Sequence, residues 1–152
     1  MGIFRGQGAT EYLVLLAVVL IVALVSVALL GFFPGMASDA RITQSQAYWR
    51  GQAKPFAILD AAISGTTATL SVQNMEANGP YTISANGIQI NGAGTHAAAI
   101  FGAGETKTIS ITGLAACTSG AVYDYNVSVV YTTPSGISTK QFSAKNLVGK
   151  CA

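Results

Sequence analysis

Few residues of this 152-residue chain have side chains that could do chemistry, and they are far apart. Cys117 and Cys151 are its only cysteines, and His96 is its only histidine. Their spacing excludes a CxxC redox or zinc motif, and together they leave a four-ligand metal site incomplete. A disulfide that closes a loop of about 35 residues is the simpler interpretation, and it would stabilise the fold by about 3 to 4 kcal/mol. Two buried free thiols are the alternative.

Acid–base catalysis needs titratable side chains that lie together, and here the acidic residues after the first third of the chain are isolated on separate segments. They are Asp60, Glu76, Glu105 and Asp124. Residues 91–97 contain G-x-G-x-x-A after the apolar run IQI, but neither the amphipathic helix nor the acidic residue of a dinucleotide site follows. We therefore predict a flexible connection there, and no enzyme activity, cofactor or metal.

The composition indicates that much of the chain avoids bulk water. Charged residues make up 9% of it and hydrophobic residues 51%, whereas an average soluble protein has roughly 25% charged residues. The eight basic residues are scattered, without a stripe that could neutralise several phosphates at once. Nucleic acid is therefore not an expected partner.

Residues 12–33 form an apolar run without a charge, and as a helix it would extend roughly 33 Å, enough to cross a bilayer core. A cleaved secretory signal has a shorter apolar region, so we expect this segment to stay with the mature protein. Pro34-Gly35 predicts a kink or local melting, after which Ser38 or Asp39 would cap a second helical stretch that continues to about Lys54.

After Phe56 the apolar residues recur with a period of two, which is typical of strands. The clearest case is VYDYNVSVVYT, which we interpret as one strand with a polar face toward solvent. Its apolar face would carry Tyr123, Tyr125, Val127, Val129 and Tyr131, and its polar face Asp124, Asn126, Ser128 and Thr132. Asn86-Gly87 predicts a two-residue hairpin turn between YTISA and IQIN. About eight short strands with turn signals between them predict a β-sandwich.

The first residues, FRGQGATEYLVLL, resemble the class III signal peptide of archaeal type IV pilins. In that family a short, positively charged leader is cut before a glutamine, and a glutamate, an aromatic residue and an apolar helix follow. Arg5 matches the charge, Gly6-Gln7 the cleaved bond, Glu11 the glutamate and Tyr12 the aromatic residue. Ala9 departs from the pattern, because a serine is common between the glutamine and the glutamate.

The resemblance covers roughly residues 5–33 and implies a division of the chain into three parts. Residues 1–6 would be a leader that a prepilin peptidase removes, 7–55 a transmembrane and filament-core helix kinked near 34–35, and 56–152 an extracellular β-sandwich head. The fold class is thus α+β, a long N-terminal hydrophobic helix followed by an antiparallel sandwich. The implied partners are further copies of the chain, the peptidase, the assembly ATPase, its membrane platform protein and, before assembly, the cytoplasmic membrane.

Glu11 would begin a membrane-length helix, where a carboxylate is costly unless it stays at the interface or finds a partner. One interpretation is an interfacial residue favoured by the positive end of the helix dipole. The resemblance favours another: after cleavage, the α-ammonium of Gln7 lies four residues from Glu11 on the same helical face, or meets Glu11 of a neighbouring copy. We therefore assign Gln7, Glu11 and Tyr12 to docking between subunits.

The basic residues do not place the N-terminus inside the cell, because Arg41, Arg50 and Lys54 follow the apolar run and only Arg5 precedes it. Two other features favour an external second half: the cysteine pair, and the sequon that begins at Asn126. Asn126 is therefore a candidate for N-glycosylation.

These patterns together predict the structural subunit of an archaeal type IV pilus-like surface filament used for adhesion. The precursor would lie in the cytoplasmic membrane and the assembled subunit at the cell surface. The alternative is a monomeric, membrane-anchored extracellular binding protein, which would not need cleavage at Gly6.

Overall fold

The computed structural model describes residues 7–152, and for residues 7 and 32–34 it describes the backbone alone. The leader 1–6, including Gly6, lies outside the described residues. Two compact units are present: one ends at Asp39, and the other, which we call the head unit, comprises Ala40–Ala152.

One helix and nine strands make up the regular structure of residues 7–152, which confirms the predicted α+β class. The helix is α1 (Gln7–Gly51), and the strands are β1 (Phe56–Ser64), β2 (Thr67–Asn74), β3 (Tyr81–Ile90), β4 (Ala99–Phe101), β5 (Thr106–Ile111), β6 (Val122–Tyr125), β7 (Val127–Thr132), β8 (Ser138–Phe142) and β9 (Leu147–Lys150).

Helix α1 continues through Pro34-Gly35 without a break in its helical assignment. The prediction of local melting is therefore wrong. Pro34 removes one backbone hydrogen-bond donor, but the hydrogen bonds of the turns on either side keep the helix intact. Ser38 and Asp39 lie inside the helix and not at the start of a second one. A bend of the helix axis stays a prediction. The helix ends at Gly51, a few residues before the predicted end near Lys54. Just after Gly51, the amides of Gln52 and Ala53 both donate to the Tyr48 carbonyl.

The strands form antiparallel sheets with the orders β1-β2-β5, β4-β3-β7-β8 and β6-β9. The first two sheets bury their inner faces in one core. Leu70 and Ile111 come from the three-stranded sheet, and Ile83 and Val127 from the four-stranded sheet; all four have 0% exposure. Phe56 of β1 meets Phe101 of β4 edge to face, with ring centroids 5.3 Å apart. The head is therefore a two-sheet sandwich with the small β6-β9 ribbon added.

The predicted hairpin at Asn86-Gly87 is wrong, because residues 81–90 are one continuous strand, β3, with a bulge. Ile83 pairs with Tyr131 and Ile88 with Val129, so β3 has extra residues between these two pairs. Asn86 has the positive φ of 57° that the Asn-Gly signal indicates, but uses it within the bulge. The local conformation was predictable; its place in the sheet depends on distant residues.

His96 stabilises this bulge. The Ile88 amide donates to His96 Nε2 at 2.8 Å, and His96 Nδ1 lies 2.6 Å from the Ala97 carbonyl, so Nδ1 carries the proton. The backbones of Asn86 and His96 are also joined, with the Asn86 amide donating to the His96 carbonyl at 3.0 Å. The loop with the G-x-G-x-x-A pattern is therefore a hydrogen-bonded support for β3 rather than a free connection.

The tyrosine-rich segment forms two strands instead of one. Asn126 separates β6, which pairs with β9, from β7, which pairs with β3 and β8. The predicted inward face is largely right: Tyr123, Val127 and Val129 are buried. Ser128 lies on the opposite face, as predicted, but it is covered there rather than open to solvent, since only 7% of it is exposed.

The last turns of α1 belong to the head unit because their side chains complete its hydrogen bonding. Ser45 donates through Oγ to the Asn146 carbonyl at 2.8 Å and accepts from the Val148 amide at 2.9 Å. Arg50 Nε donates to the Leu59 carbonyl at 2.7 Å, beside the bulge in β1. Trp49, 1% exposed, fills the core next to these contacts.

Cys117 and Cys151 are joined in a disulfide, with Cα atoms 5.8 Å apart, as the sequence predicts. The C-terminus is also held by the backbone, since the Cys151 amide donates to the Ala121 carbonyl at 2.8 Å and the Ala152 amide to Ile63 of β1 at 2.8 Å. The C-terminal residues are therefore part of the sandwich.

Candidate functional site on the N-terminal helix

The largest apolar surface among the described residues is the first part of α1. Every residue from Gly8 to Gly31 is exposed, and Leu24 and Leu30 are 70% and 72% exposed. Between Leu13 and Leu30 the only polar residue is Ser26, whose Oγ donates to the Val22 carbonyl at 2.7 Å within the helix. The surface is therefore apolar on all sides, as in a helix that lipid or other helices surround.

By length and composition this helix can cross a membrane. Its most apolar stretch of 18 residues has a mean hydropathy of 3.4, and none of that stretch is buried. No charged residue occurs from position 12 to position 38. An N-terminal apolar helix that leads into a strand-rich head is thus established, and it is compatible with an anchor, a signal sequence or a filament core.

The predicted docking residues lie at the start of this helix. Gln7 is the first residue of α1, and Glu11 follows one turn later, so their backbones present the same helical face. Glu11 and Tyr12 are both exposed, Tyr12 at 66%. The side chain of Gln7 lies outside the described residues, as does Gly6 on the other side of the predicted cleaved bond.

This arrangement offers one kind of chemistry, which is ionic pairing at the edge of an apolar surface. A carboxylate next to such a surface can hold an ammonium group once water is excluded, and both groups are costly if they are left unpaired there. Glu11 lies just beyond the first turn of α1, so the positive end of the helix dipole favours its carboxylate only weakly.

The pKa shifts of two titratable groups in the head, Tyr123 and Glu105, are explained by burial and by local hydrogen bonds. Burial raises the pKa of the Tyr123 phenol, and the nearby Asp60 carboxylate adds to this rise. The Gly102 amide, which donates to Glu105 at 2.7 Å, lowers the pKa of that carboxyl, with Lys107 contributing. In residues 7–152 no three His, Cys, Asp or Glu side chains lie together as a metal site.

A polar groove of the head unit lies beside the last turns of α1. Arg41 Nη2 is 3.0 Å from Asp124 Oδ2, and Asn146 Nδ2 donates to Asp124 Oδ1 at 2.7 Å. Arg41 and Asp124 are paired with each other, and these contacts join the last turns of the helix to β6 and to the segment before β9. No local pattern indicates that Arg41, Asp124 and Asn146 lie together, because they are separated by more than twenty positions in the chain.

Comparison with known proteins adds no relative: no family model, curated protein or solved structure matches the chain. Function must therefore be inferred from the residues themselves.

Asn126, the predicted glycosylation residue, is exposed at the one-residue break between β6 and β7. Its backbone is fixed by Asn91: the Asn91 amide donates to the Asn126 carbonyl, and the Asn126 amide donates to Asn91 Oδ1, both at 2.8 Å. The Asn126 side chain therefore projects from exposed backbone that two hydrogen bonds to Asn91 hold in place.

Proposed function

We propose that this protein is the structural subunit of an archaeal type IV pilus-like filament, with the first part of α1 in the filament core and the strand-rich head displayed outside. The observation that carries the proposal is the uncharged, fully exposed surface of residues 12–31, which begins directly after Glu11. The leader resemblance at Gly6-Gln7 supports the same function.

The surface of α1 needs a covering. Burying one Leu, Val or Ile side chain contributes roughly 1.5 to 3 kcal/mol, so leaving this whole surface in water would be very unfavourable. In the precursor the cytoplasmic membrane covers it, and in the filament neighbouring copies of α1 do so. Both surroundings are apolar, so the hydrophobic effect alone does not favour the filament over the membrane.

The preference for the filament must then come from more specific contacts. We assign this role to the α-ammonium that cleavage creates at Gln7 and to Glu11 of the neighbouring copy, with Tyr12 packing beside them. An unpaired ammonium or carboxylate in these surroundings costs several kcal/mol, so a subunit that pairs both is preferred over one that does not. The same pair would set the axial register of the subunits.

The head suits display outside the cell. Its disulfide fits an oxidising compartment, and its C-terminus is held within the sandwich. Charged residues are few over the whole chain, in keeping with a head whose sides are covered by neighbouring heads. A prepilin peptidase, an assembly ATPase and a membrane platform protein are the partners that this function requires, and adhesion is the proposed use.

The test is to shear filaments from the native cells, image them by electron microscopy and measure the intact mass of their subunit. We expect a subunit that begins at Gln7 and carries one disulfide. Surface-exposed protein that still begins at Met1 and is absent from filaments would overturn the proposal and favour the monomeric anchor.

A further inference from the structure

We propose that Asn126 carries an N-linked glycan whose first sugar packs on the ring of Phe142. The proposal needs export of the head but not its assembly into a filament. Asn126-Val127-Ser128 is the only N-x-S/T sequon in the chain, and its asparagine is exposed on backbone that Asn91 holds in place.

Phe142 presents an open aromatic ring at the surface of the head. It is 70% exposed at the end of an edge strand, β8, although the neighbouring Gln141 is buried at 7%. Lys140 Nζ lies 4.9 Å from the ring centroid, so one cation covers part of the ring while most of it stays open to solvent. A large aromatic ring in this position offers an apolar surface on which the C–H face of a sugar can stack.

The strand register places Phe142 near the sequon. Ser128 and Phe142 are Cα partners in the antiparallel β7-β8 ladder, so their side chains emerge on the same face of the sheet. The adjacent pair, Val129 and Gln141, faces the core, which makes the Ser128–Phe142 face the outer one. Asn126 precedes Ser128 by two residues, roughly 7 Å along an extended chain, which is within reach of one linked sugar.

The modification must precede pairing of β7. The sequon is read together with its Ser128 hydroxyl, and only 7% of Ser128 is exposed once β7 lies between β3 and β8. In the reaction, Asn126 Nδ2 forms a bond to the anomeric carbon of a polyprenyl-phosphate-linked oligosaccharide. The carbon–oxygen bond to the lipid phosphate breaks, the lipid phosphate leaves, and the amide nitrogen gives up one proton.

Mass spectrometry of the full-length chain from its native membranes tests the attachment. The peptide that contains Asn126 should carry sugar masses in wild type and in Ser128→Thr, which keeps the sequon. Asn126→Gln and Ser128→Ala should both abolish them. An unmodified Asn126 in the native chain would overturn the proposal, as would a Ser128→Ala protein that keeps the sugar.

A double-mutant cycle tests the contact with Phe142. Trp49 is the only tryptophan and is 1% exposed, so its fluorescence reports unfolding of the head. In detergent, Phe142→Ala should lower the Tm of the glycosylated chain by roughly 4 °C or more, the size expected for loss of one good apolar contact. In the Asn126→Gln background the same change should have almost no effect. Equal shifts in the two backgrounds would show that the sugar does not pack on Phe142.

Discussion

The side-chain amide of Gln141 pairs with the backbone of Phe56 as a neighbouring strand would. The Phe56 amide donates to Gln141 Oε1 at 3.0 Å, and Gln141 Nε2 donates to the Phe56 carbonyl at 2.9 Å. Phe56 begins β1 and Gln141 lies in β8, and each of these strands is at the edge of its own sheet. One side chain therefore closes the open side of the sandwich at this point.

Replacing Gln141 by leucine should strongly destabilise the head. Both backbone groups of Phe56 are fully buried, so they would lose their partners without gaining water. We expect a loss of about 2 to 4 kcal/mol in the free energy of unfolding, measured by denaturant titration in detergent. Lys140→Gln, on the same strand but exposed, is the control and should stay within about 0.5 kcal/mol of wild type. Similar values for the two variants would contradict this role of Gln141.

The disulfide gives a second prediction. Changing both Cys117 and Cys151 to alanine should lower the free energy of unfolding by about 3 to 4 kcal/mol, because the unfolded chain regains the freedom of an open loop. Dithiothreitol should lower the stability of wild type by a similar amount and leave the double variant unchanged. If the reductant destabilises both proteins equally, its effect does not come from this disulfide.

Alkaline pH should destabilise the head partly through Tyr123. Burial raises the pKa of this phenol above its ordinary value of about 10, so the unfolded chain loses the proton first as the pH rises. The contribution of Tyr123 is therefore fully present below about pH 10 and is lost above it. We expect Tyr123→Phe to lose less unfolding free energy than wild type between about pH 8 and about pH 11. Parallel losses would exclude Tyr123 as the cause.

How far the sequence predicts the fold depends on how local each feature is. The apolar run at 12–33 and the alternation after Phe56 depend on neighbouring residues only, and they predicted the long helix and the β-rich head. The Asn86-Gly87 signal was local as well, and the positive φ is present. Whether that φ makes a hairpin or a bulge depends on His96, which supplies the acceptor for the Ile88 amide from another segment.

The contacts of the candidate sites differ in the same way. The docking role of Glu11 and cleavage at Gly6-Gln7 could be predicted from the sequence because both rest on a short-range pattern of spacing. Ser45 and Phe142 belong to no such pattern. Ser45 bonds to residues about a hundred positions away, and only the pairing of Phe142 with Ser128 places its ring near the sequon. Pairings over such distances follow from the assembled sheets rather than from any segment of the sequence.

The prediction that bears most directly on function concerns Glu11. Glu11→Val should leave cleavage and membrane insertion largely intact, since valine makes the span more apolar. It should reduce incorporation into filaments, because the α-ammonium of Gln7 would lose its partner in apolar surroundings. The measurement is the ratio of subunit in sheared filaments to subunit in membranes, for variant and wild type at equal expression.

Ser26→Val is the matched control for Glu11→Val. It also makes the helix more apolar, but Ser26 bonds only within its own helix, to the Val22 carbonyl, and lies far from the first turn. We expect its ratio of filament to membrane subunit to equal that of wild type. Glu11→Gln, which keeps the size and removes the charge, should behave like Glu11→Val if the ionic pair is what matters. A wild-type ratio for both Glu11 variants would show that the carboxylate has no docking role. A low ratio for Ser26→Val would mean that filament incorporation depends on how apolar the helix is and not on Glu11.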